Sequence, residues 1–167
     1  KIMCNLIYRV LNKIRFIYFF LRYNSYKKKY NIHKSFIFNG VDIEFYGEGD
    51  ITIGKNSYIG NRSSIASAKG QKVFIGDNCS ISHNVRMYTK NRNPIDIINN
   101  EVVVSYLNGD ISIGNNTWIG ANVFINQGVN IGSNVVIGAN SFVNKNIPSN
   151  SIVSGTPTKI IKQITNF

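Results

Sequence analysis

IGNNTW IGANVF INQGVN IGSNVV IGANSF VNKNIP, residues Ile113 to Pro148, is a run of six units of six residues. An aliphatic residue opens each unit: Ile113, Ile119, Ile125, Ile131, Ile137 and Val143. The fourth place holds Asn116, Asn122, Asn134, Asn140 and Asn146, with Gly128 in the remaining unit. Asn and Gly are the residues that best tolerate a positive φ. A short strand, a left-handed corner and another short strand produce this pattern. The aliphatic side chain points inward, and Asn or Gly turns the chain. Self-similarity at so short a fixed period marks a solenoid, and a hexapeptide period marks a parallel β-helix.

The repeat begins earlier. IGKNSY and IGNRSS run from Ile53 and are followed by Ile65; IGDNCS and ISHNVR run from Ile75 and are followed by Met87. Asn56, Asn78 and Asn84 continue the corner pattern. Three units make one coil of eighteen residues, with coils starting at Ile53, Ile75, Ile113 and Ile131. A second aliphatic residue lies two places before each start (Ile51, Val73, Ile111, Val129), on the same face of a strand. The last two starts are eighteen apart, whereas the earlier gaps are 22 and 38. These gaps predict a four-residue insertion near Ala68 to Lys72 and a twenty-residue excursion, about 93–112. A weaker first coil is expected over Phe36 to Asp50, with Val41 and Ile43. Insertions in a solenoid become loops on one face, often the binding face. A long excursion in a small domain is usually functional. Val102, Val103 and Val104, with Tyr106 and Leu107, need something to pack against.

The 167 residues suffice for one domain with a genuine core. The net charge of +11 is uneven: residues 1–34 hold nine Lys or Arg and no acid, and the remainder holds ten basic and eight acidic residues. Ile2 to Leu21 has helical periodicity. Met3, Leu6, Ile7, Val10, Leu11, Ile14, Ile17, Tyr18 and Leu21 share one face, opposite Arg9, Lys13, Asn5 and Asn12. Phe16, Phe19 and Phe20 fall on or beside the polar side. The run is too short to span a bilayer, and its flanks do not resemble a cleavable signal peptide. Lys27 to Lys29 follow amid Tyr23, Tyr26 and Tyr30. Two readings stand for this segment. The helix packs on its own coils or on a neighbouring subunit, or residues 1–30 rest on anionic lipid at the inner face of the cytoplasmic membrane. Nucleic acid is not an expected partner, because the basic residues are confined to one end and carry no known motif. The expected division is 1–35 for the amphipathic helix and basic segment, and 36–167 for the β-helix with its C-terminal tail. Cys4 and Cys79 suggest neither a disulfide framework nor a CxxC metal site, and are read as reduced thiols in a cytoplasmic protein.

IGNNTWIGANVFINQGVNIGSNVVIGANSFVNKNIPSNSIVSGTPTKIIKQI resembles the C-terminal half of the left-handed β-helix, hexapeptide-repeat acyltransferases. These include maltose and galactoside O-acetyltransferases and bacterial capsule and lipopolysaccharide O-acetyltransferases. The resemblance covers about 41–164 and is most specific from Ile147-Pro148 through Gly155-Thr156-Pro157-Thr158-Lys159. The helix ahead of the coils is similar to polysaccharide O-acetyltransferases in particular. The resemblance implies a left-handed coil, although parallel crossovers are otherwise right-handed. It also implies a homotrimer with acetyl-CoA in the cleft between subunits, and no metal. In the family a histidine takes the proton of an acceptor hydroxyl while backbone N–H groups stabilise the oxyanion.

Only His33 and His83 are available. In the sugar acetyltransferases the catalytic His follows a Thr and lies directly before or near a Pro. The matching stretch, Thr89 to Pro94, has Arg92 and Asn93 there instead. Three readings stay open. His83 is the base, acting beside the same loop and cleft; or His33 arrives from a neighbouring subunit; or activity has been lost. A corner His bonded only to backbone is the bland alternative. The resemblance places Trp118 of the WIG motif, with Arg92 and Asn93, on the acceptor side; Trp118 alternatively packs between coils. It places Ala121 and Ala139 on the pantetheine arm, Asn144 and Lys145 near the adenine, and Lys159 and Lys162 on the phosphates. No acid follows Asp110 to compete for these lysines, which otherwise are ordinary surface charge.

The expected function is acetyl-CoA-dependent O-acetylation of a sugar hydroxyl on a bacterial surface polysaccharide or its precursor. The alternatives are a small acceptor (antibiotic, free sugar or amino-sugar nucleotide) and a non-catalytic β-helix that binds membrane or a partner. The three-histidine zinc site of trimeric carbonic anhydrases is excluded, since the coils hold one His.

Overall fold

The computed structural model describes residues 2–164; residue 1 and residues 165–167, the ends of the two expected segments, lie outside the described residues. Left-handed corners fall where the repeat placed them. Asn56, Asn78, Asn84, Asn116, Asn122, Asn134 and Asn140 have φ between 53° and 59°, and Gly128 has φ 75°. Asn146 does not take such a corner. The next left-handed residue is Asn150, whose side chain follows Asn134 at a spacing of 16 rather than 18. The coil is two residues shorter there, and the Asn146 side chain instead accepts from the Asn130 N–H at 2.8 Å.

Between corners the chain forms three parallel faces, in five coils. The first face holds Asn31–Ile32, Asp50–Ile53, Lys72–Ile75, Ile111–Ile113 and Asn130–Ile131. The second holds Ile37–Asn39, Tyr58–Gly60, Ser80–Ile81, Trp118–Ile119, Val136–Ile137 and Ser151–Ser154, with Lys159–Gln163 returning antiparallel at its end. The third holds Glu44–Tyr46, Ser64–Ala66, Arg86–Tyr88, Phe124–Ile125 and Phe142–Val143. Every opening aliphatic of the repeat is buried, which makes a core of stacked Ile and Val. At the first-to-second corner the Asn side chains form a ladder from Asn56 through Asn78, Asn116 and Asn134 to Asn150, at 2.9–3.3 Å. A second ladder, Asn84 to Asn122 to Asn140, runs along the second-to-third corner at 2.9 and 3.0 Å.

The first coil starts at Asn31, ahead of the expected boundary at 35, because Asn31–Ile32 pairs with Thr52 and Ile53. Its core is aromatic, with Phe36 and Phe45 buried and Phe38 packed against them. The N-terminal helix, Ile2–Lys29, runs past Leu21 and covers this open end. Tyr23 stacks on Phe38 at 4.4 Å between centroids, and Tyr26 on Phe45 at 5.3 Å. Arg15 and Arg22 pair with Asp42 and Glu44 at 3.2 and 3.1 Å. The packed face is therefore Phe19, Tyr23, Tyr26 and Tyr30, and the aliphatic face expected to be covered is exposed. Aromatic rings at the end of the coil select aromatic rings on the helix. No helix among the described residues is long and apolar enough to cross a membrane.

The short insertion is a turn closed by Gln71 N–H to Ala68 O at 2.9 Å. The long excursion begins at Lys90 rather than 93. Lys90–Arg92 pairs antiparallel with Tyr106–Asn108, the helix Pro94–Ile98 lies between, and Ser112 already belongs to the next coil. Val102 and Val103 are fully or largely exposed, so nothing among the described residues covers them. Phe45→Ala, at the seam between helix and solenoid, should lose about 3 kcal/mol in urea unfolding. A loss below about 1 kcal/mol would mean the helix does not cap the core.

Candidate active site

The second-to-third corner stacks one residue per coil into a column. Asn84 N–H donates to Asn61 O at 2.8 Å, Asn122 N–H to His83 O at 3.0 Å, and Asn140 N–H to Ala121 O at 2.8 Å. Each bond ties a corner Asn to the preceding coil, so Asn61, His83, Ala121 and Ala139 lie one above another. Adjacent coils are about 4.8 Å apart. His83 is exposed and leans back over the preceding coil: a Cβ on Gly60 would sit 2.8 Å from its Nδ1. The Ser82 backbone, 2.8 and 2.9 Å from the same point, also leaves no room for a side chain at Gly60. Asn61, Arg62, His83, Asn84 and Asn122 line an open cavity of about 400 Å³.

Below His83 the column changes character. Among the described residues, the Ala121 and Ala139 N–H groups donate to no protein acceptor. Both residues are at least partly exposed, and their methyl groups leave the backbone approachable. Two unpaired donors one coil apart suit a linear ligand carrying amide carbonyls. The foot of the column is basic. Lys159 pairs with Ser154 and Lys162 with Ile152 on the antiparallel end strand, and both lysines are exposed. Neither has an acid partner among the described residues.

The other expected site residues lie across the third face. Asn144 and Lys145 directly follow Phe142–Val143, and the excursion bearing Arg92 and Asn93 leaves the same third-to-first corner two coils earlier. Asn93 is occupied structurally. Its Oδ1 accepts from the Ile95 N–H at 3.2 Å, and its Nδ2 donates to Asp96 Oδ1 at 2.9 Å. The other Asp96 oxygen accepts from the Ser105 N–H at 2.7 Å and from the Ser105 hydroxyl. These Ser105 bonds hold the Asp96 carboxyl below the usual carboxylate range. Asn91 fixes the hairpin to the solenoid through Asn126 and Gln127, at 2.6 Å each. No hydrogen bond among the described residues joins this loop to His83, so within one chain the two do not border a common cleft.

Trp118 stands on the second face between Ser80 and Val136, with 55% of its surface exposed. Its ring is exposed on the outside of the second face and does not pack between coils. His33 lies in the first coil beside the first-to-second corner, bonded to Ser35 Oγ at 2.8 Å, on another edge of the solenoid. Cys79 is fully buried and donates to Gly114 O at 3.1 Å, and burial pushes its thiol pKa up. No cluster of three or more His, Cys, Asp or Glu exists among the described residues.

Sequence reasoning passed over Arg62. It takes a left-handed corner, φ 58°, where the coils on either side have Asp42 and Asn84, and an Arg gains no local side-chain support there. The available signal was its fourth place in IGNRSS. Backbone strain of this kind concentrates at functional sites.

Residues 110–145 match the family described as bacterial transferase hexapeptide (six repeats), and residues 50–86 match the hexapeptide repeat of succinyl-transferase. A polysialic acid O-acetyltransferase of Escherichia coli O1:K1 is 37% identical over 79% of this chain and 42% of its own length. The crystal structure of a maltose O-acetyltransferase from Clostridium difficile 630 is 32% identical over 80% of this chain and 72% of that one, with a TM-score of 0.51. A hexapeptide-repeat acetyltransferase from Vibrio cholerae O1 biovar eltor, solved with acetyl coenzyme A, is 28% identical over 87% of this chain and 77% of that one, with a TM-score of 0.67. The chain spans about half the length of the curated relatives it matches, 42–58%.

The two thiols differ sharply. Iodoacetamide at about pH 8 should alkylate Cys4 in the folded protein and leave Cys79 untouched, read by peptide mass spectrometry. Rapid labelling of Cys79 would show a reactive thiol where the packing predicts an inert one.

Proposed function

The chain belongs to the hexapeptide-repeat acetyltransferase family, and from that premise we propose that it is an acetyl-CoA-dependent O-acetyltransferase acting on a sugar hydroxyl of a bacterial surface polysaccharide or its precursor. The observation that carries this reading is the column itself: a histidine at the head, two unpaired backbone donors beneath it, and lysines at the foot. The residues present fit the donor. Ala121 and Ala139 offer N–H groups to the amide carbonyls of a pantetheine arm, and Lys159 and Lys162 offer cations to its phosphates. The acyl group arrives activated as a thioester. His83 accepts the proton of the acceptor hydroxyl as its oxygen bonds to the acyl carbon, then returns that proton to the thiolate released when the C–S bond breaks. Its open cavity admits a hydroxyl on an extended glycan, Trp118 supplies an apolar wall for a sugar ring, and Arg62 supplies a cation beside it.

The separation of the site residues onto two corners supports a closed ring of subunits, with the His83 corner of one facing the Lys145 corner and excursion of the next. Such a heterologous contact closes into a trimer when its rotation is threefold. The apolar excursion, uncovered in one chain, gains a surface there. A polysaccharide acceptor draws support from the polysialic acid enzyme among the relatives, and a cavity open to solvent suits a polymer better than an enclosed small molecule. The competing reading is a β-helix that binds without catalysing. It rests on Asn93, which sits where sugar acetyltransferases keep a histidine and is locked to Asp96 and Ser105.

Release of free thiol from acetyl-CoA in the presence of oligosaccharide acceptors separates them. His83→Ala should lower kcat about 10²- to 10⁴-fold with little change in KM for acetyl-CoA. Arg62→Asn, which suits the left-handed corner better than Arg, should keep the fold and weaken acceptor binding. Unchanged turnover in His83→Ala would place the base elsewhere, and no turnover of any acceptor alongside tight donor binding would favour the non-catalytic reading.

A further inference from the structure

The N-terminal helix has two apolar faces, and only one is used. Phe19, Tyr23, Tyr26 and Tyr30 cap the solenoid. At about 100° per residue, Met3, Ile7, Val10, Ile14, Ile17 and Leu21 lie on roughly the opposite side, pointing away from the protein. Met3 is 71% exposed and Leu21 62%. This outer stripe is some 27 Å long, at about 1.5 Å per residue. Beyond Leu21 the same side becomes polar, with Asn24 and Lys28.

The charges around the stripe are of one sign. No Asp or Glu occurs in residues 1–34, against nine Lys and Arg. Arg15 and Arg22, on the edge nearer the coils, are neutralised by Asp42 and Glu44. Arg9 and Lys13, on the other edge, and Lys28, at the end, pair with no acid among the described residues. Phe16 and Phe20 stand exposed beside Lys13.

We propose that this outer stripe is a docking surface for an anionic phospholipid bilayer, with the helix lying in the headgroup layer and the solenoid held away from it. Aliphatic side chains flanked by cations and exposed aromatics match that boundary, where apolar groups enter the acyl region and lysines meet lipid phosphates. A second copy fits less well, because a symmetric helix-on-helix contact would bring cations together with no acid to offset them. The helix cannot cross the bilayer, so the contact is peripheral. The inference stands on the helix alone and is independent of the catalytic reading.

Flotation of the full chain with liposomes tests it. Vesicles of phosphatidylcholine with about 30% phosphatidylglycerol should carry the protein at roughly 0.1 M salt, and pure phosphatidylcholine should not. Ile7→Asp/Ile14→Asp and Arg9→Gln/Lys13→Gln should each weaken capture about tenfold or more, with the oligomeric mass by light scattering unchanged. Three results would overturn the proposal. One is no capture by the anionic vesicles. Another is capture that the Ile7→Asp/Ile14→Asp change leaves intact, which would mean charge alone. The third is a smaller oligomer in that variant, which would mean a second copy covers the stripe.

Discussion

Everything in this fold depends on turning an extended strand through a sharp corner at a backbone conformation that most residues resist. An L-residue in the left-handed region is disfavoured by about 1–2 kcal/mol, and Asn relieves part of that through its short polar side chain. Here the relief is collective. Each corner amide bonds to the next one along the axis, so the same residue that permits the corner also ties coil to coil. Beyond the first coil the interior needs only apolar residues of similar volume at a fixed period, and it has them. Where the spacing changes, the corners stay aligned and the surplus residues leave the solenoid as loops.

The same corners make chemistry available. At the first-to-second corner the outward N–H of each coil is taken by a side chain of the next, as Lys55 N–H is by Asp77 and Asn115 N–H by Ser133, whereas among the described residues the Ala121 and Ala139 N–H groups meet no such acceptor. Ala121 and Ala139 are small, so their donors are reachable, and His83 occupies the equivalent place one coil earlier. A scaffold built for closure thus also presents two backbone donors in line with a histidine. Arg62 and Asn61 extend the site beyond His83, into the coil nearer the capping helix. Among the described residues the cavity beside His83 is open to solvent, with Asn61, Arg62, His83, Asn84 and Asn122 along it.

The regular parts were legible in the sequence and the exceptions were not. Inward aliphatics and corner Asn follow from the six-residue period, and phase breaks revealed both insertions. The edge of the excursion was misplaced by three residues because Lys90–Arg92 simply continues the direction of Arg86–Tyr88, with no change in composition to mark it. Asn146 misled because the last unit is two residues short, which no local feature announces. The helix was visible, but its packed face was not: both faces are apolar, and the aromatic end of the first coil decides between them. Of the site, the His83, Ala121 and Ala139 column lay within reach, since its spacings are those of the corner ladders. The separation of Asn93 from His83 was not, because sequence proximity across a corner says nothing about which edge each residue faces.

The central claim is that the outward amides of the column hold the acyl donor. Amide hydrogen exchange resolved at Ala121 and Ala139 by NMR, with and without saturating acetyl-CoA, measures this directly. The account predicts fast exchange at both amides in the free protein and marked slowing when acetyl-CoA is bound, while the already paired Asn122 and Asn140 amides change little. Saturable binding of acetyl-CoA with the Ala121 and Ala139 amides unaffected would contradict it.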